Sequence, residues 1–341
     1  MKVKKLIIVT ILISIFVGLG TAAAAAEEVN LYTNRHYDTD EEILNRFTEE
    51  TGIEVNVLKG DSDQLIERIA REGKNSPADV LITADAGRLH RAKERDILQS
   101  VSTETLTQNV PANLRDEDNY WYGLTIRGRV IVYSKDRVDP EDLAGYGDLT
   151  SDQWQDKIVV RSSENIYNQS LLASLVSIYG EKWAEDWAAG IVDNMARKPQ
   201  GNDRAQATAV AAGEGDLAIM NTYYLGKMIN SDNPAEVEVA ENVGIHFPDG
   251  ENGTHINVSG AGVVKNAPNK DNAVKLLEYL SSASAQKFFA SANYEYPVNP
   301  EVEASELLQS WGDFETQNIN LTELGIHNQT AVRIFNRVGW Q

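Results

Sequence analysis

The sequence predicts an α/β fold of two lobes, a clam-shell in which each lobe is a mostly parallel sheet flanked by helices. Three observations predict this fold. Strand and helix patterns alternate from residue 29 to residue 95, a long β-rich stretch follows at 121–134, and a second alternation begins near residue 148. Alternating strands and helices are typical of parallel sheets that are covered on both faces. The long extended stretch between the two alternations can cross from one lobe to the other.

Before the first alternation, residues 1–26 predict a secretory signal peptide. Lysines at positions 2, 4 and 5 precede an uncharged apolar run over 6–19 and a small-residue tract over 21–26. This order of segments is typical of a signal peptide, and the apolar run is too short for a comfortable membrane span. We therefore expect export to the periplasm, without membrane insertion of the mature chain and without a lipid anchor, since no Cys follows the tract.

The first alternation predicts three strands and three helices. Apolar residues with β spacing predict strands at 29–33, 53–58 and 78–83, and apolar residues at helical spacing predict helices at 38–52, 62–72 and 86–95. Asp38 and Thr39 are good capping residues for the first helix, and Gly52 ends it. These elements predict one lobe, made of residues 27–125 together with 258–300.

The second alternation predicts another lobe, made of residues 126–257 together with the tail 301–341. Strands are expected at 157–161, 216–221, 243–247 and 255–264, and the last of these is expected to cross back to the first lobe. Helices are expected at 148–154, 167–179, 181–195, 203–212, 269–280 and 284–290, with short helices in the tail. Ligands of hinged two-lobed proteins lie in the cleft, where closure traps them.

Composition excludes several classes of partner and chemistry. The formal charge of −20 and a pI near 4.7 disfavour binding to nucleic acid and to anionic lipid. The chain has no Cys, so disulfides and thiolate chemistry are excluded and any metal must be held by oxygen or imidazole nitrogen. No Gly-x-Ser-x-Gly, phosphate-binding loop or His-Glu-x-x-His motif is present, which argues against an enzyme.

Candidate ligands follow three predicted strands at the point where each strand ends. Tyr223 and Tyr224 follow the strand at 216–221, Tyr167 follows the strand at 157–161, and His36 and Tyr37 follow the first strand. Strand ends of this kind bind ligands in open α/β folds, and phenolate oxygens are hard donors that suit small, highly charged cations. Taken singly, each residue has a simpler interpretation: a core aromatic, a helix-start aromatic or an exposed loop His.

These residues lie within segments that resemble the periplasmic ferric-ion-binding proteins of bacterial ABC uptake systems. The resemblance runs from about residue 29 to residue 300. Its motifs are LYTNRHYDTD at 31–40, DVLITADAGRL at 79–89, GRVIVYS at 128–134, YNQS at 167–170, GDLA at 215–218 with NTYY at 221–224, and GTHINVSGAG at 253–262.

The resemblance implies a ligand set and partners. In this transferrin-like, extracellular solute-binding family, iron is held by a Tyr pair and a third Tyr of one lobe and by residues of the other lobe. Carried over by motif, the metal ligands are Tyr223, Tyr224, Tyr167, His36 and Tyr37. The cargo is Fe(III), free or as a small chelate, the partner is an inner-membrane ABC permease, and the protein is expected to be a monomer.

Two arginines are candidates for a second role at this site. The chain resembles the subgroup with His-Tyr in the first loop and departs from the subgroup with a separate glutamate ligand and a bound phosphate. If carbonate binds as a second anion, Arg35 and Arg127 are the expected cations. Alternatively Arg127 lowers the pKa of the phenols, or both arginines form ordinary surface salt bridges. Two rivals remain open at this stage: a protein of the same fold that binds a polyamine, thiamine or an oxyanion, and a secreted hydrolase.

Overall fold

The computed structural model describes residues 27–35, 38–250 and 252–341. The predicted signal peptide, His36 and Tyr37 therefore lie outside the described residues. Nine strands of the described chain join into one sheet, and they are β1 (Glu28–Thr33), β2 (Glu54–Lys59), β3 (Val80–Ala84), β4 (Tyr122–Ser134), β5 (Ile158–Val159), β6 (Leu217–Asn221), β7 (Val243–His246), β8 (Ile256–Val263) and β9 (Tyr296–Pro297).

Helices flank this sheet. They are α1 (Asp38–Thr51), α2 (Ser62–Glu72), α3 (Ala86–Glu94), α4 (Glu104–Asn109), α5 (Ile166–Tyr179), α6 (Glu181–Asp193), α7 (Asp203–Ala211), α8 (Thr222–Ile229), α9 (Pro234–Asn242), α10 (Lys270–Ser281), α11 (Ala283–Asn293), α12 (Glu306–Ser310), α13 (Glu323–Ile326) and α14 (Asn328–Val338). None of these described helices has both the length and the apolar character needed to cross a membrane.

The strand order is β2-β1-β3-β8-β4-β6-β5, with β7 and β9 also paired to β4. Parallel pairs join β1 to β2, β1 to β3 and β5 to β6, whereas all pairs made by β8 or β4 are antiparallel. The sheet is therefore mixed, where a mostly parallel sheet was predicted in each lobe. The difference arises from the two long strands, β4 and β8. They run between the two halves of the sheet and lie antiparallel to the neighbouring strand in each half.

Strand β4 connects the two ends of the sheet. Its first half, up to Gly128, pairs with β8. Its second half pairs with β6 from Arg129 onward and also with β7 from Ile131 onward. Arg127 and Arg129 lie two residues apart on this strand, so their side chains leave the same face. The point where β4 changes partners is therefore also the point where it presents two guanidinium groups.

Buried apolar side chains form three clusters. The first cluster draws on residues 29–124 and 256–324, the second on residues 131–219 and 331–340, and the third on residues 130–247. Along β4, Val130 and Val132 belong to the third cluster and Ile131 to the second. Successive strand residues point to opposite faces, so the second and third clusters cover the two faces of the β4–β6 region.

Most predicted helices are confirmed, and three segments differ. Residues 148–154, expected as one short helix, form two 3₁₀ turns, Tyr146–Thr150 and Asp152–Trp154, because Ser151 between them is extended. Helices α4 and α9 were not predicted; α9 carries Pro234 in its first turn, a position that proline favours. The tail contains the short helices α12 and α13, as expected, and the longer α14.

A tail segment pairs with the chain where β8 begins. The N–H of Thr254 donates to the carbonyl of Glu315 at 2.8 Å, and the N–H of Gln317 donates to the carbonyl of Thr254 at 3.0 Å. The adjacent His255 is buried, and its Nδ1 lies 3.2 Å from Oε1 of Gln317. Burial, helped by nearby arginines, lowers the pKa of His255 to about 3, so the folded protein holds this ring neutral.

One buried carboxylate accepts hydrogen bonds from both β1 and the start of α10. Asp79 is fully buried, and its side chain accepts hydrogen bonds from the backbone N–H of Asn30 at 2.7 Å and of Asn269 at 2.6 Å. It also accepts from the side-chain amides of both residues. Asp79 precedes β3, so three elements of the first cluster meet at this one side chain.

We expect Asp79→Ala to lower the free energy of unfolding by about 3 kcal/mol, because two backbone donors lose their acceptor. Asp186→Ala is the matched control, since Asp186 lies on α6 with an exposed side chain, and it should change stability by less than about 0.5 kcal/mol. Urea unfolding measures both, with the slope unchanged. Equal midpoints for the two variants would refute the role given to Asp79.

Candidate metal centre

Two helix starts bring three predicted phenols together. Tyr167 is the second residue of α5, and its N–H donates to the side chain of the capping residue Asn165 at 3.1 Å. Tyr223 is the second residue of α8, which follows β6 directly. The Oη atoms of Tyr167 and Tyr223 lie 3.5 Å apart. Tyr167 and Tyr223 therefore both project from the first turn of a helix.

Tyr224 joins the same group. The rings of Tyr223 and Tyr224 lie 4.2 Å apart between centroids, with an interplanar angle of 31°. Tyr223 is buried and Tyr224 is half-buried. The structure thus gathers Tyr167, Tyr223 and Tyr224, which the sequence placed at two separate strand ends.

Three arginines surround the ring of Tyr167. The guanidinium carbons of Arg127, Arg129 and Arg161 lie 5.5, 5.9 and 5.8 Å from its centroid. Arg127 and Arg129 are only 2% and 1% exposed. Burying two cations costs free energy unless partners compensate their charges. The partners of Arg127 and Arg129 therefore determine how much positive charge these residues present to Tyr167.

Asp203 compensates two of these cations. It is fully buried at the start of α7, and its carboxylate forms ion pairs with Arg129 at 3.1 Å and with Arg161 at 3.2 Å. The same carboxylate accepts the N–H of Asn221 at 3.1 Å, and Asn221 Oδ1 accepts from Arg129 at 3.1 Å. Asn221 caps α8, so Asp203 fixes the backbone from which the tyrosine pair projects.

Arg127 has no such ion pair among the described residues. It donates to the hydroxyl of Ser259 at 3.1 Å and to the carbonyl of Val258 at 2.8 Å. Its buried Nε has no hydrogen-bond partner in the described structure. An ordinary surface salt bridge, the alternative considered for Arg127, does not describe this residue.

Arg35, the second predicted anion ligand, is paired within the protein. Its guanidinium contacts Asp40 at 2.7 Å and Glu295 at 2.9 Å. Burial opposes the charge of Glu295, but the Arg35 guanidinium holds the pKa of that carboxyl below its usual value. Thr125 also donates to Glu295 at 2.8 Å. Arg35 is therefore buried and paired with two carboxylates, whereas Arg127, beside Tyr167, forms no ion pair among the described residues and faces Glu295 and Asp85 only at longer range.

The phenol of Tyr224 is neutral in this arrangement. Burial, followed by the nearby Tyr167 and Asp203, raises the pKa of Tyr224 to about 12, although Arg161 acts in the opposite direction. The hydrogen bond with Tyr223 also opposes this rise in the pKa of Tyr224, and the arginine that does so is Arg161, whereas Arg127 was the arginine predicted to lower phenol pKa values. A cation that binds here as a phenolate complex must displace the phenol proton.

Sequence reasoning missed Arg129, Arg161 and Asp203. Two arginines spaced by two residues in the otherwise apolar stretch 124–132 were a usable signal for Arg127 and Arg129, since a strand presents both on one face. Arg161 occupies a strand end like the predicted ligands. Asp203 gave no signal, because an Asp at a helix start is ordinary capping and its partners are distant in sequence.

Comparison with known proteins identifies the family of this chain. Residues 75–314 match the model of the bacterial extracellular solute-binding proteins. The chain is 51% identical to iron uptake protein A1 of Synechocystis over 92% of this chain and 88% of that protein.

Solved structures agree with these sequence matches. A Trichodesmium protein (IdiA, FutA) in complex with iron and citrate superposes with a TM-score of 0.90 and 51% identity, covering 92% of this chain and all of that one. The ferric binding protein of Campylobacter jejuni gives a TM-score of 0.87 and 41% identity, covering 92% and 100% of the two chains.

These matches confirm the predicted two-lobed fold class and the resemblance to ferric-ion-binding proteins. The chain belongs to the family of bacterial extracellular solute-binding proteins.

Proposed function

We propose that this protein binds Fe(III) in a cleft between two lobes and delivers it to an inner-membrane ABC permease. The observation that carries the proposal is the meeting of Tyr167, Tyr223 and Tyr224 at two helix starts, with Oη atoms 3.5 Å apart for the first two. Phenolate oxygens suit a small trivalent cation. Relatives with 51% and 41% identity, described as an iron uptake protein and a ferric binding protein, support the same cargo.

The proposed ligand set has two halves. Tyr167, Tyr223 and Tyr224 form one half, and His36 and Tyr37 form the other. The second half rests on the motif at 31–40, since both residues lie outside the described chain. Four phenolates around a trivalent ion leave one net negative charge, which the adjacent arginines favour. This balance selects ferric iron over softer divalent ions.

The two halves belong to two lobes. We place residues 27–125 and 258–300 in an N-terminal lobe around the first cluster, and residues 126–257 in a C-terminal lobe around the second and third. The tail 301–341, expected in the C-terminal lobe, supplies Leu324 to the first cluster and Phe335 to the second. The tail therefore serves both lobes.

Arg127 is the proposed contact for an anion that accompanies iron, such as carbonate. The absence of an ion pair to Arg127 in the described part of the chain, together with its buried Nε that lacks a hydrogen-bond partner there, supports this role. A relative has been solved in complex with iron and citrate, and citrate is an anion. Arg35, paired with Asp40 and Glu295, instead stabilises the N-terminal lobe between β1 and α1.

The proposed setting is the periplasm, with the protein as a monomeric carrier that performs no chemistry of its own. The signal-peptide pattern at 1–26 and the extracellular solute-binding family support export. Membership of that family also supports a permease as partner.

Replacing both Tyr223 and Tyr224 by Phe should abolish the iron complex, because two anionic donors are lost while the rings remain. Iron-stripped protein supplied with ferric citrate should develop a visible phenolate-to-iron charge-transfer band, and the double variant should not. Tyr120→Phe is the control, since Tyr120 packs on the first cluster away from this site. Full colour in the double variant, or none in the wild type, would sink the ferric-site proposal.

Iron affinity should fall as pH falls. Tyr224 has a pKa of about 12 in the protein without iron, so at neutral pH it is protonated and binding releases that proton. Each phenol that must ionise weakens apparent binding by up to about tenfold per unit of pH lost. Competition with nitrilotriacetate from neutral pH down to about pH 5 measures the slope. A slope of zero after correction for the chelator would contradict phenolate ligation.

A further inference from the structure

Helix α8, which carries the tyrosine pair, packs against the end of α11 across the boundary between two clusters. Phe289 of α11 belongs to the first cluster and Leu225 of α8 to the third. A Cβ on Gly226 would lie 2.7 Å from Cβ of Tyr294 and 2.9 Å from its Cγ. That separation is too short for any side chain, so the approach of α8 to α11 depends on glycine.

One buried amide completes this contact. Asn293, the last residue of α11, is fully buried. Its Oδ1 accepts a hydrogen bond from Lys227 Nζ at 3.3 Å and another from Thr39 Oγ1 at 2.8 Å. Its Nδ2 lies 3.5 Å from Oδ1 of Asp40. Lys227 is on α8, whereas Thr39 and Asp40 are in the first turn of α1.

The two donors belong to different lobes of the proposed division. Lys227 is on α8 of the C-terminal lobe, one helical turn beyond Tyr223 and on the same helix face. Thr39 is in the first turn of α1 of the N-terminal lobe. A single acceptor atom therefore ties the helix of the tyrosine pair to α1 of the other lobe.

We propose that Asn293 is a positioning residue of the iron site, and that Gly226 allows α8 to reach it. This inference rests on the proposed function. With Asn293 in place, α8 is held against α1 and α11 of the other lobe. Without it, the phenols of Tyr167, Tyr223 and Tyr224 still bind iron and keep their colour, but the two lobes separate more easily and iron escapes faster.

The first test compares two buried asparagines. Asn293→Leu should release iron to excess chelator about tenfold faster than the wild type or more, because a hydrogen bond to a charged amine is lost. Asn299→Leu is the matched control: Asn299 is also buried and donates to the carbonyl of Ser281 at 3.0 Å, but it does not contact α8. Its release rate should stay within about twofold of the wild type. Melting of the iron-free proteins reports the general loss of stability in both.

The second test compares two glycines with equally close neighbours. A Cβ on Gly190 of α6 would lie 2.7 Å from Cβ of Thr150, the same distance as for Gly226 and Tyr294. Gly226→Ala should speed iron release and Gly190→Ala should not, although both substitutions crowd a helix contact. This pair keeps the inference testable if Asn293→Leu fails to fold.

The outcomes separate the inference from the proposed function. A wild-type protein without the charge-transfer band rejects the proposed function and the inference with it. A normal charge-transfer band, together with a wild-type rate of iron release in Asn293→Leu or in Gly226→Ala, overturns only the inference. Equal acceleration in a variant and its matched control also overturns it, because general destabilisation then explains the effect.

Discussion

The tyrosine cluster depends on a buried electrostatic arrangement centred on Asp203. This single carboxylate sits between Arg129 and Arg161 and also receives the backbone N–H of Asn221. Removing one member of such a buried group leaves charges that have neither water nor a partner. The strand end, the helix start and the phenols that project from them therefore form one unit.

That unit is not electrically neutral. Arg127, Arg129 and Arg161 surround the Tyr167 ring, and Asp203 is the one carboxylate paired with any of them among the described residues. Arg161 favours the phenolate form of Tyr224, yet burial keeps this phenol protonated until a cation arrives. Tyr224 therefore becomes an anionic donor only when a cation binds. In a low-dielectric interior these local charges outweigh the chain's net charge of −20.

The sequence carried much of this information in local patterns. Apolar residues, in alternation or in short runs, predicted β1, β3 and β6. The strand ends pointed to Tyr167, Tyr223 and Tyr224, because parallel strands place their carboxyl ends at one edge. The antiparallel pairing of β4 and β8 was not predictable in the same way, since pairing direction depends on partners more than a hundred residues away. The role of Asp203 was not predictable for the same reason. Its position at a helix start has a local explanation, whereas its two arginine partners are distant in sequence. His36 and Tyr37 stay predictions.

Buried His255 gives the fold its own response to acid. Its pKa of about 3 in the folded protein lies below the ordinary value of 6.5. Between these values the unfolded chain takes up a proton that the folded chain refuses, so stability is present above pH 6.5 and declines as pH falls towards 3. His255 is not among the proposed iron ligands. A melting temperature recorded in acid therefore combines iron occupancy with the titration of this ring, and optical absorbance reports occupancy more directly.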